Sequence, residues 1–346
     1  MVIHSFYHTE KEMRIIMQVK MAQYGILHDH ARGKAKVMKE NQDVDLAGIY
    51  EPDASAKQKW ENDLLFQDLR WFSSPSEMLE DESIQAIAIQ GRVADNLDFA
   101  QQALTHNKHI WLDKPAGDDL QLFENLLDIA KKNNLLVQLG YMFRYNAGFQ
   151  FLLDWANSGK LGHVFSVRAR ISTSNVNENH WERWNSVGEN KGGIVFILAC
   201  HLIDIIVTLM GRPDRVTPFM RHDGAKFDWF QDNNLVVFEY ERGQAIIEST
   251  ALEVDPGASR RIEVYGTRGS IIMEPLEPPN LRLCLDTDQG RYKKGWQTVT
   301  VPARPRYVES LRAFVADIRG QKTPDRSLDH EYTVQETVLR ASGLQD

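Results

Sequence analysis

The sequence predicts an α/β chain in which an N-terminal, doubly wound parallel sheet precedes an α+β domain with a large, open, mainly antiparallel sheet. Up to about residue 139, short apolar runs alternate with amphipathic stretches. Fully apolar strands separated by helices mean a parallel sheet covered on both faces. Beyond residue 141 the rhythm changes to one long apolar helix followed by alternating strands and hairpin-type turns, the pattern of an antiparallel-rich domain. A length of 346 residues suits two domains, each with its own core. The division expected is an extension over 1–18, a Rossmann-type domain over 19–140 and an α+β domain over 141–346, whose last helices pack back on the first domain.

In the first domain the apolar runs at 19–24, 46–50, 71–72, 86–89, 109–112 and 135–139 are the predicted strands. Helices are predicted over 31–40, 54–62, 76–81, 94–105 and 120–132, and Ser74 before Pro75 reads as an N-cap followed by proline at the first helical position. The second domain opens with a helix over 148–157 and a strand over 163–172. The apolar stretch 194–210 carries His201 and Asp204 near its middle and closes on Gly211-Arg212-Pro213. With two ionisable groups in 17 residues it reads as a helix buried in a soluble protein, not a membrane span. Strands at 234–240, 244–252, 261–265, 270–273, 281–285 and 298–301 follow, then helices over 307–319 and 331–341.

Composition excludes several classes of function. A formal charge of −8 without a basic stripe argues against nucleic acid as a partner. Cys200 and Cys284 are the only cysteines, which fits a reducing compartment, and the first 20 residues lack the apolar core of a signal peptide. A cytoplasmic location with no membrane partner is expected.

The motifs point to a ligand crevice. Asp113-Lys114-Pro115 follows the apolar run 109–112, and the carboxyl ends of parallel strands line such a crevice. A lysine there, next to a proline of fixed φ, can point at cofactor and substrate. The first strand runs into a turn with Gly25, where Leu27 and His30 stand in the places of the second and third glycines of a dinucleotide fingerprint. Backbone amides at the following helix N-terminus can still hold a pyrophosphate. Glu51 ends the second strand, where a carboxylate binds adenosine ribose hydroxyls and repels a 2′-phosphate, favouring NAD over NADP. His28, Asp29 and His30 are adjacent and not expected to converge on a metal ion. His201 and Asp204, three apart, share a helix face and are costly to bury unpartnered. Gly192-Gly193 before that helix permits close backbone approach. The segment 179–185, with Trp181 and Trp184 among hydrogen-bonding groups, suits a sugar, and Arg144 and Tyr145 fall at the crevice end of the sheet.

In their order along the chain these motifs resemble the Gfo/Idh/MocA family of glucose–fructose oxidoreductase and inositol dehydrogenase-like enzymes. Asp113-Lys114-Pro115 resembles the family's Glu-Lys-Pro, the run 141–145 its passage into the second domain, and Gly192-Gly193 with His201-Leu202-Ile203-Asp204 its glycine turn and His-x-x-Asp helix. The resemblance implies bound NAD(P), substrates that are mostly sugars or polyols, and a sheet that builds homodimers or homotetramers. It places Gln90, Asp113, Lys114, Pro115 and Arg144 beside the cofactor, and Lys114, Tyr145, Trp181, Trp184, His201 and Asp204 around the substrate. Three departures stand out: the reduced glycine loop, Gln90-Gly91-Arg92 in place of the usual loop after the fourth strand, and Ile197 where many relatives carry a catalytic aspartate. The reading is an NAD-dependent oxidoreductase acting on a secondary hydroxyl, with Lys114 and His201 in the proton transfer. The alternatives are an NAD-dependent enzyme cleaving glycosides by transient oxidation and elimination, and a non-catalytic NAD- or sugar-binding member.

Overall fold

The computed structural model describes residues 18–174, 192–224 and 229–346. Five parallel strands, β1 (Val19–Tyr24), β2 (Val44–Tyr50), β3 (Ala86–Ile89), β4 (His109–Leu112) and β5 (Val137–Leu139), form the first sheet in the order β2-β1-β3-β4-β5. They are wrapped by α1 (Ala31–Glu40), α2 (Ala54–Trp60), α3 (Pro75–Leu79), α4 (Val93–Thr105) and α5 (Leu120–Lys132). The predicted strand at 71–72 reduces to a single bridge between Trp71 and Ile49, so the sheet has five members. Ser74 caps α3 by accepting from the Glu77 amide, with Pro75 in the first turn, as the sequence pattern predicts. The strand order reverses between β1 and β3, and that switch point is where a doubly wound sheet opens a crevice.

A short 3-10 turn, Met142–Tyr145, leads into α6 (Ala147–Asn157) and the second sheet. Its strands are β6 (Val164–Arg170), β7 (Arg215–Arg221), β8 (Asn233–Tyr240), β9 (Gly243–Thr250), β10 (Arg261–Gly266), β11 (Gly269–Met273), β12 (Leu281–Leu285) and β13 (Gly295–Val299), in the order β13-β12-β11-β10-β6-β9-β8-β7. All pairings are antiparallel except β6 with β9. Alternate residues such as Val167, Ala169, Ala245, Ile247, Ile262 and Val264 are buried beneath the helices, as the two-residue period of a strand requires. β7 is absent from the sequence prediction because Pro218 interrupts it. Proline lacks a donor and is tolerated at an edge, which is where β7 lies.

The long apolar segment is not one uniform helix. Val195–Ala199 forms a wide π turn, and α7 (Cys200–Met210) continues from it to Gly211. π turns inside helices mark functional positions more often than chance. After the short α8 (Pro256–Ser259), the chain returns to the first domain through α9 (Val308–Ile318) and α10 (Leu328–Ala341). Leu311, Phe314 and Val315 of α9 pack with Met21, Ala86, Ala88 and Trp111 of the parallel sheet.

One buried ionic cluster joins these parts. The Arg144 guanidinium donates to both Asp204 oxygens, at 2.6 and 3.0 Å, and to both Glu331 oxygens, at 2.6 and 2.7 Å. Glu331 also accepts the Leu139 amide at 3.2 Å. The cluster thus ties the end of β5, α7 and α10 together without exposure to water. Removing one member of such a pair leaves uncompensated buried charge. Arg144→Ala is expected to lower stability by roughly 3–5 kcal/mol, and Arg144→Lys to recover only part of that loss because an amine lacks the planar double fork. Urea unfolding checks both; a loss near zero in Arg144→Ala contradicts the clamp.

Candidate active site

The site is built from the switch point upward. Gly25 follows β1 with φ +86°, and a Cβ there would meet the Gly91 amide nitrogen at 2.5 Å. The turn after β1 and the turn after β3 therefore touch backbone to backbone, which only glycine allows. The Gln90 carbonyl accepts the His28 amide at 3.0 Å and closes this contact.

Below the turn, Asp113 at the end of β4 is fully buried among basic groups. Lys34 Nζ of α1 lies 2.9 Å from its Oδ2 and His30 Nδ1 3.0 Å from its Oδ1, while His28 Nδ1 is 3.5 Å away. Asp113 Oδ1 also accepts the Lys114 amide at 2.8 Å. Burial alone would raise the Asp113 pKa, but His28, Lys34 and His30 outweigh it and hold the carboxyl well below its usual range. Burial pushes both histidines down, with Asp113 opposing, so the imidazoles are neutral and Lys34–Asp113 is the ion pair. Contrary to the expectation from their adjacency, His28 and His30 do converge, together with Asp113, to distances a metal ion could bridge. The Lys34 ammonium already compensates the carboxylate, which makes a second cation there unfavourable.

Lys114 emerges from this base. Its Nζ donates to the Ile197 carbonyl at 2.9 Å, within the π turn. At Ile197, where the family resemblance leads one to expect an aspartate, this chain thus offers a backbone carbonyl to the lysine. The following loop is pinned from far along the chain: Gln335 of α10 accepts the Ala116 amide at 3.3 Å and donates to the Gly117 carbonyl at 2.6 Å. His201 enters the same cleft from α7, packed against His30, Tyr141 and Phe143 with ring centroids 5.3–6.0 Å apart. Burial first, then the nearby Lys114, lowers its pKa well below the usual value. The ring is neutral, and among the described residues its Nδ1 has no hydrogen-bond partner.

Leu27, His28, His30, Lys114, Pro115, Ile197 and His201 share a cleft of about 250 Å³. A second cleft of about 370 Å³ lies on the α2 side and is lined by Arg32, Asp53, Ser55 and Lys59. The two share Leu27, His28, Asp29 and Arg92, so they flank the turn before α1 from both sides. An elongated ligand can cross that turn with its ends in separate clefts. The backbone contact at Gly25 and the helix start behind it fit a dinucleotide pyrophosphate, although the His30 amide is already bound to His28 Nδ1 at 3.1 Å.

Several residues expected at the site lie elsewhere. Arg144 and Asp204 satisfy each other within the buried clamp and leave neither group to a ligand; burial would raise Asp204, but Arg144 dominates and holds it at about 2. Tyr145 donates to Asp325 at 3.1 Å, away from the cleft. Asp113 and Gln90 are fully buried beneath the turns and shape the crevice from behind. Glu51 accepts the Ile26 amide at 2.7 Å and the Asp53 amide at 2.8 Å. Both of its oxygens hold the turn, and the carboxylates that line the second cleft are Asp29 and Asp53. Trp181 and Trp184 lie outside the described residues. Conversely, the sequence reading missed Arg260 and Arg306, which line the first cleft. Neither stands in a spacing that distinguishes it from any surface arginine.

Comparison with known proteins agrees with this architecture. Residues 25–141 match the NAD-binding Rossmann fold of the Gfo/Idh/MocA oxidoreductases, and residues 157–341 match the family's C-terminal alpha/beta domain. The chain belongs to the Gfo/Idh/MocA oxidoreductase family. It is similar to the uncharacterized oxidoreductases C26H5.09c of Schizosaccharomyces pombe and YdgJ of Escherichia coli, 24% and 27% identical over 223 and 214 residues. These matches cover 63% and 61% of this chain and span only 60% of the length of each relative. Myo-inositol 2-dehydrogenase of Thermotoga maritima is 20% identical over 261 residues, 73% of this chain and 75% of that one. Among solved structures, UDP-N-acetylglucosamine 3-dehydrogenase GnnA from Acidithiobacillus ferrooxidans superposes with a TM-score of 0.78 at 16% identity, covering 95% of this chain and 98% of the other. At that identity the likeness shows the shared fold.

The neutral, buried histidines have a consequence for stability. The unfolded chain protonates each near its ordinary value of about 6.5, whereas His28, His30 and His201 stay neutral when folded. Below that pH the unfolded state binds more protons, so stability falls by up to about 1.4 kcal/mol per pH unit for each histidine. Asp113 and Asp204 follow only at lower pH, because their folded values are depressed from a carboxylate range. Urea unfolding between about pH 7.5 and pH 5.5 should show a steep decline; a flat profile contradicts neutral imidazoles in the folded state.

Proposed function

We propose that this protein is an NAD-dependent oxidoreductase that oxidises a secondary hydroxyl of a sugar, polyol or sugar derivative, or reduces the matching ketone. The observation that carries this reading is the convergence of Lys114, from the Rossmann domain, and His201, from the C-terminal domain, on one cleft beside the dinucleotide turn. Bound nicotinamide supplies the hydride acceptor; the protein supplies position and proton transfer. Myo-inositol 2-dehydrogenase and UDP-N-acetylglucosamine 3-dehydrogenase, by their names, act on a polyol and a sugar nucleotide, which supports the substrate class.

In this reading Lys114 and His201 act as a pair. The neutral His201 ring is ready to accept the hydroxyl proton, because a base must be unprotonated before it can act. Lys114, anchored through Ile197, orients the hydroxyl and stabilises the negative charge that develops on its oxygen. The anchor matters because catalysis by positioning fails when a group wanders by an ångström. NAD is preferred to NADP on account of Asp53, whose carboxylate lines the second cleft while capping α2 and pairing with Arg92 at 2.9 Å. Arg32 in the same cleft is paired with Asp63 at 3.1 Å.

Lys114→Ala and His201→Ala are each expected to lower kcat on a responsive sugar or polyol by roughly 10²–10⁴-fold. Dinucleotide affinity, followed separately by NADH fluorescence, should change far less. Full turnover in both variants would refute the assignment. The proposal extends to assembly: the outer face of the second sheet carries Phe219 and Trp296 exposed, with Leu235, Val237, Ile246 and Ile272 between them. Such a face suits a second copy of the chain, and light scattering should give a homodimer or homotetramer; a monomer at micromolar concentration contradicts it.

A further inference from the structure

Four basic side chains line the catalytic cleft, Arg92, Lys114, Arg260 and Arg306, against one carboxylate, Asp29, among the described residues. Arg92 is paired with Asp53 at 2.9 Å and Arg306 with Glu277, which leaves Lys114 and Arg260 as the lining cations without an ion-pair partner among the described residues. A dinucleotide accounts for part of the basic lining. Arg92 lines both clefts and stands beside the turn where a pyrophosphate crosses. Arg260 and Arg306 do not line the second cleft; they stand at the end that holds Lys114 and His201.

Both arginines are held in place. Arg260 Nε and Nη2 donate to the Ser172 carbonyl at 3.0 and 2.8 Å. A carbonyl fixes the guanidinium without neutralising it, and among the described residues no carboxylate forms an ion pair with Arg260. The nearby Glu253 is occupied by Arg170 and the Ser259 hydroxyl. Arg306 Nε donates to Glu277 at 2.8 Å. The next residue, Tyr307, has φ +68°, and its ring packs 5.4 Å from His30 and closes over Gly33. A left-handed tyrosine persists only where packing imposes it, and here the packing holds Arg306 at the cleft.

The charges of Arg260 and Arg306 act on each other, and while Glu277 pairs with Arg306 through both Nε and Nη2, Arg260 has no ion-pair partner among the described residues, which favours a further anion. Burial, and then the charge of Arg306, makes the charged form of Arg260 less favourable than usual, a penalty that an anionic ligand would relieve. The C-terminal-domain end of the cleft therefore has the charge and the fixed donors that planar or tetrahedral oxyanions require.

We propose that the substrate carries an oxyanion, a carboxylate or a phosphate, which Arg260 and Arg306 bind while its secondary hydroxyl lies between Lys114 and His201. This rests on the oxidoreductase reading given above and narrows it, from sugars and polyols in general to aldonates, uronates and sugar phosphates. Arg260 is a specificity-determining residue in this assignment, and the proton-transfer groups are unchanged by it.

Matched probes test the idea by binding, independently of turnover. Gluconate against sorbitol, glucuronate against glucose, and glucose 6-phosphate against glucose are titrated by calorimetry into the full chain saturated with NADH. At least one anionic probe should bind about tenfold or more tightly than its neutral partner, the increment expected for hydrogen bonds to a charged group. The carboxylates and the phosphate form separate arms, and the arm that binds identifies the oxyanion. Arg260→Gln should abolish the difference by weakening the anionic probe alone, and Arg260→Lys should restore part of it; matched thermal unfolding curves show that both variants fold. Equal affinity for neutral and anionic probes, no binding of any anionic probe, or discrimination that survives Arg260→Gln overturns the proposal. Failure of turnover alongside anion-selective binding would instead refute the oxidoreductase reading and leave the subsite standing.

Discussion

The cleft depends on the buried double fork of Arg144. Its guanidinium accepts no substitute easily, because two carboxylates from distant parts of the chain meet it at five short contacts. Asp204 lies three residues after His201 on α7, so holding Asp204 fixes how far that helix can slide or rotate. Glu331 brings in α10, whose Gln335 in turn pins the backbone just after Lys114-Pro115. Lys114 and His201 belong to different domains, yet one continuous network sets the spacing between them. A buried pair of this kind stabilises little relative to a well-packed apolar replacement. Its contribution here is positional.

A second constraint acts beneath the dinucleotide turn. Two glycines of the usual fingerprint are replaced by Leu27 and His30, and the structure shows what the replacement does. His28 and His30 turn inward to Asp113, where Lys34 completes a buried basic ring around one carboxylate. The helix start is thereby clamped to the end of β4, the strand that delivers Lys114. The loop gives up some close approach to a pyrophosphate and gains a rigid link between the cofactor turn and Lys114. At the opposite wall, the π turn presents the Ile197 carbonyl to the lysine from the position where the resemblance predicts a carboxylate. Both departures from the family pattern converge on the anchoring of Lys114.

The parts of the fold that were legible in the sequence are those governed by local periodicity. Apolar runs located all five parallel strands, and alternation located most of the antiparallel ones, since burial repeats at two residues along a strand. The exceptions are instructive. Trp71-Phe72 has the composition of a strand but only one bridge to Ile49, and the edge strand β7 hid behind Pro218. The apolar segment 194–210 announced a buried helix but not its π turn, because a one-residue change in hydrogen-bond register leaves the hydrophobic pattern almost intact.

By itself, the sequence determined the two-sheet plan, the placement of Lys114 at a strand end, the need for a glycine at Gly25 and the unusual pair of ionisable groups in an apolar helix. Each follows from neighbours within a few residues. Tertiary structure alone decided what those groups do with their charges. Asp204 and Arg144 meet across 60 residues and Arg144 and Glu331 across 187, and Asp113 gathers histidines from more than 80 positions upstream. Arg260 and Arg306 acquire their place in the cleft only because the second sheet and the returning helix bring them to His201. Whether a charged side chain is structural or free for a ligand depends on which opposite charge reaches it first, and only the folded chain settles that.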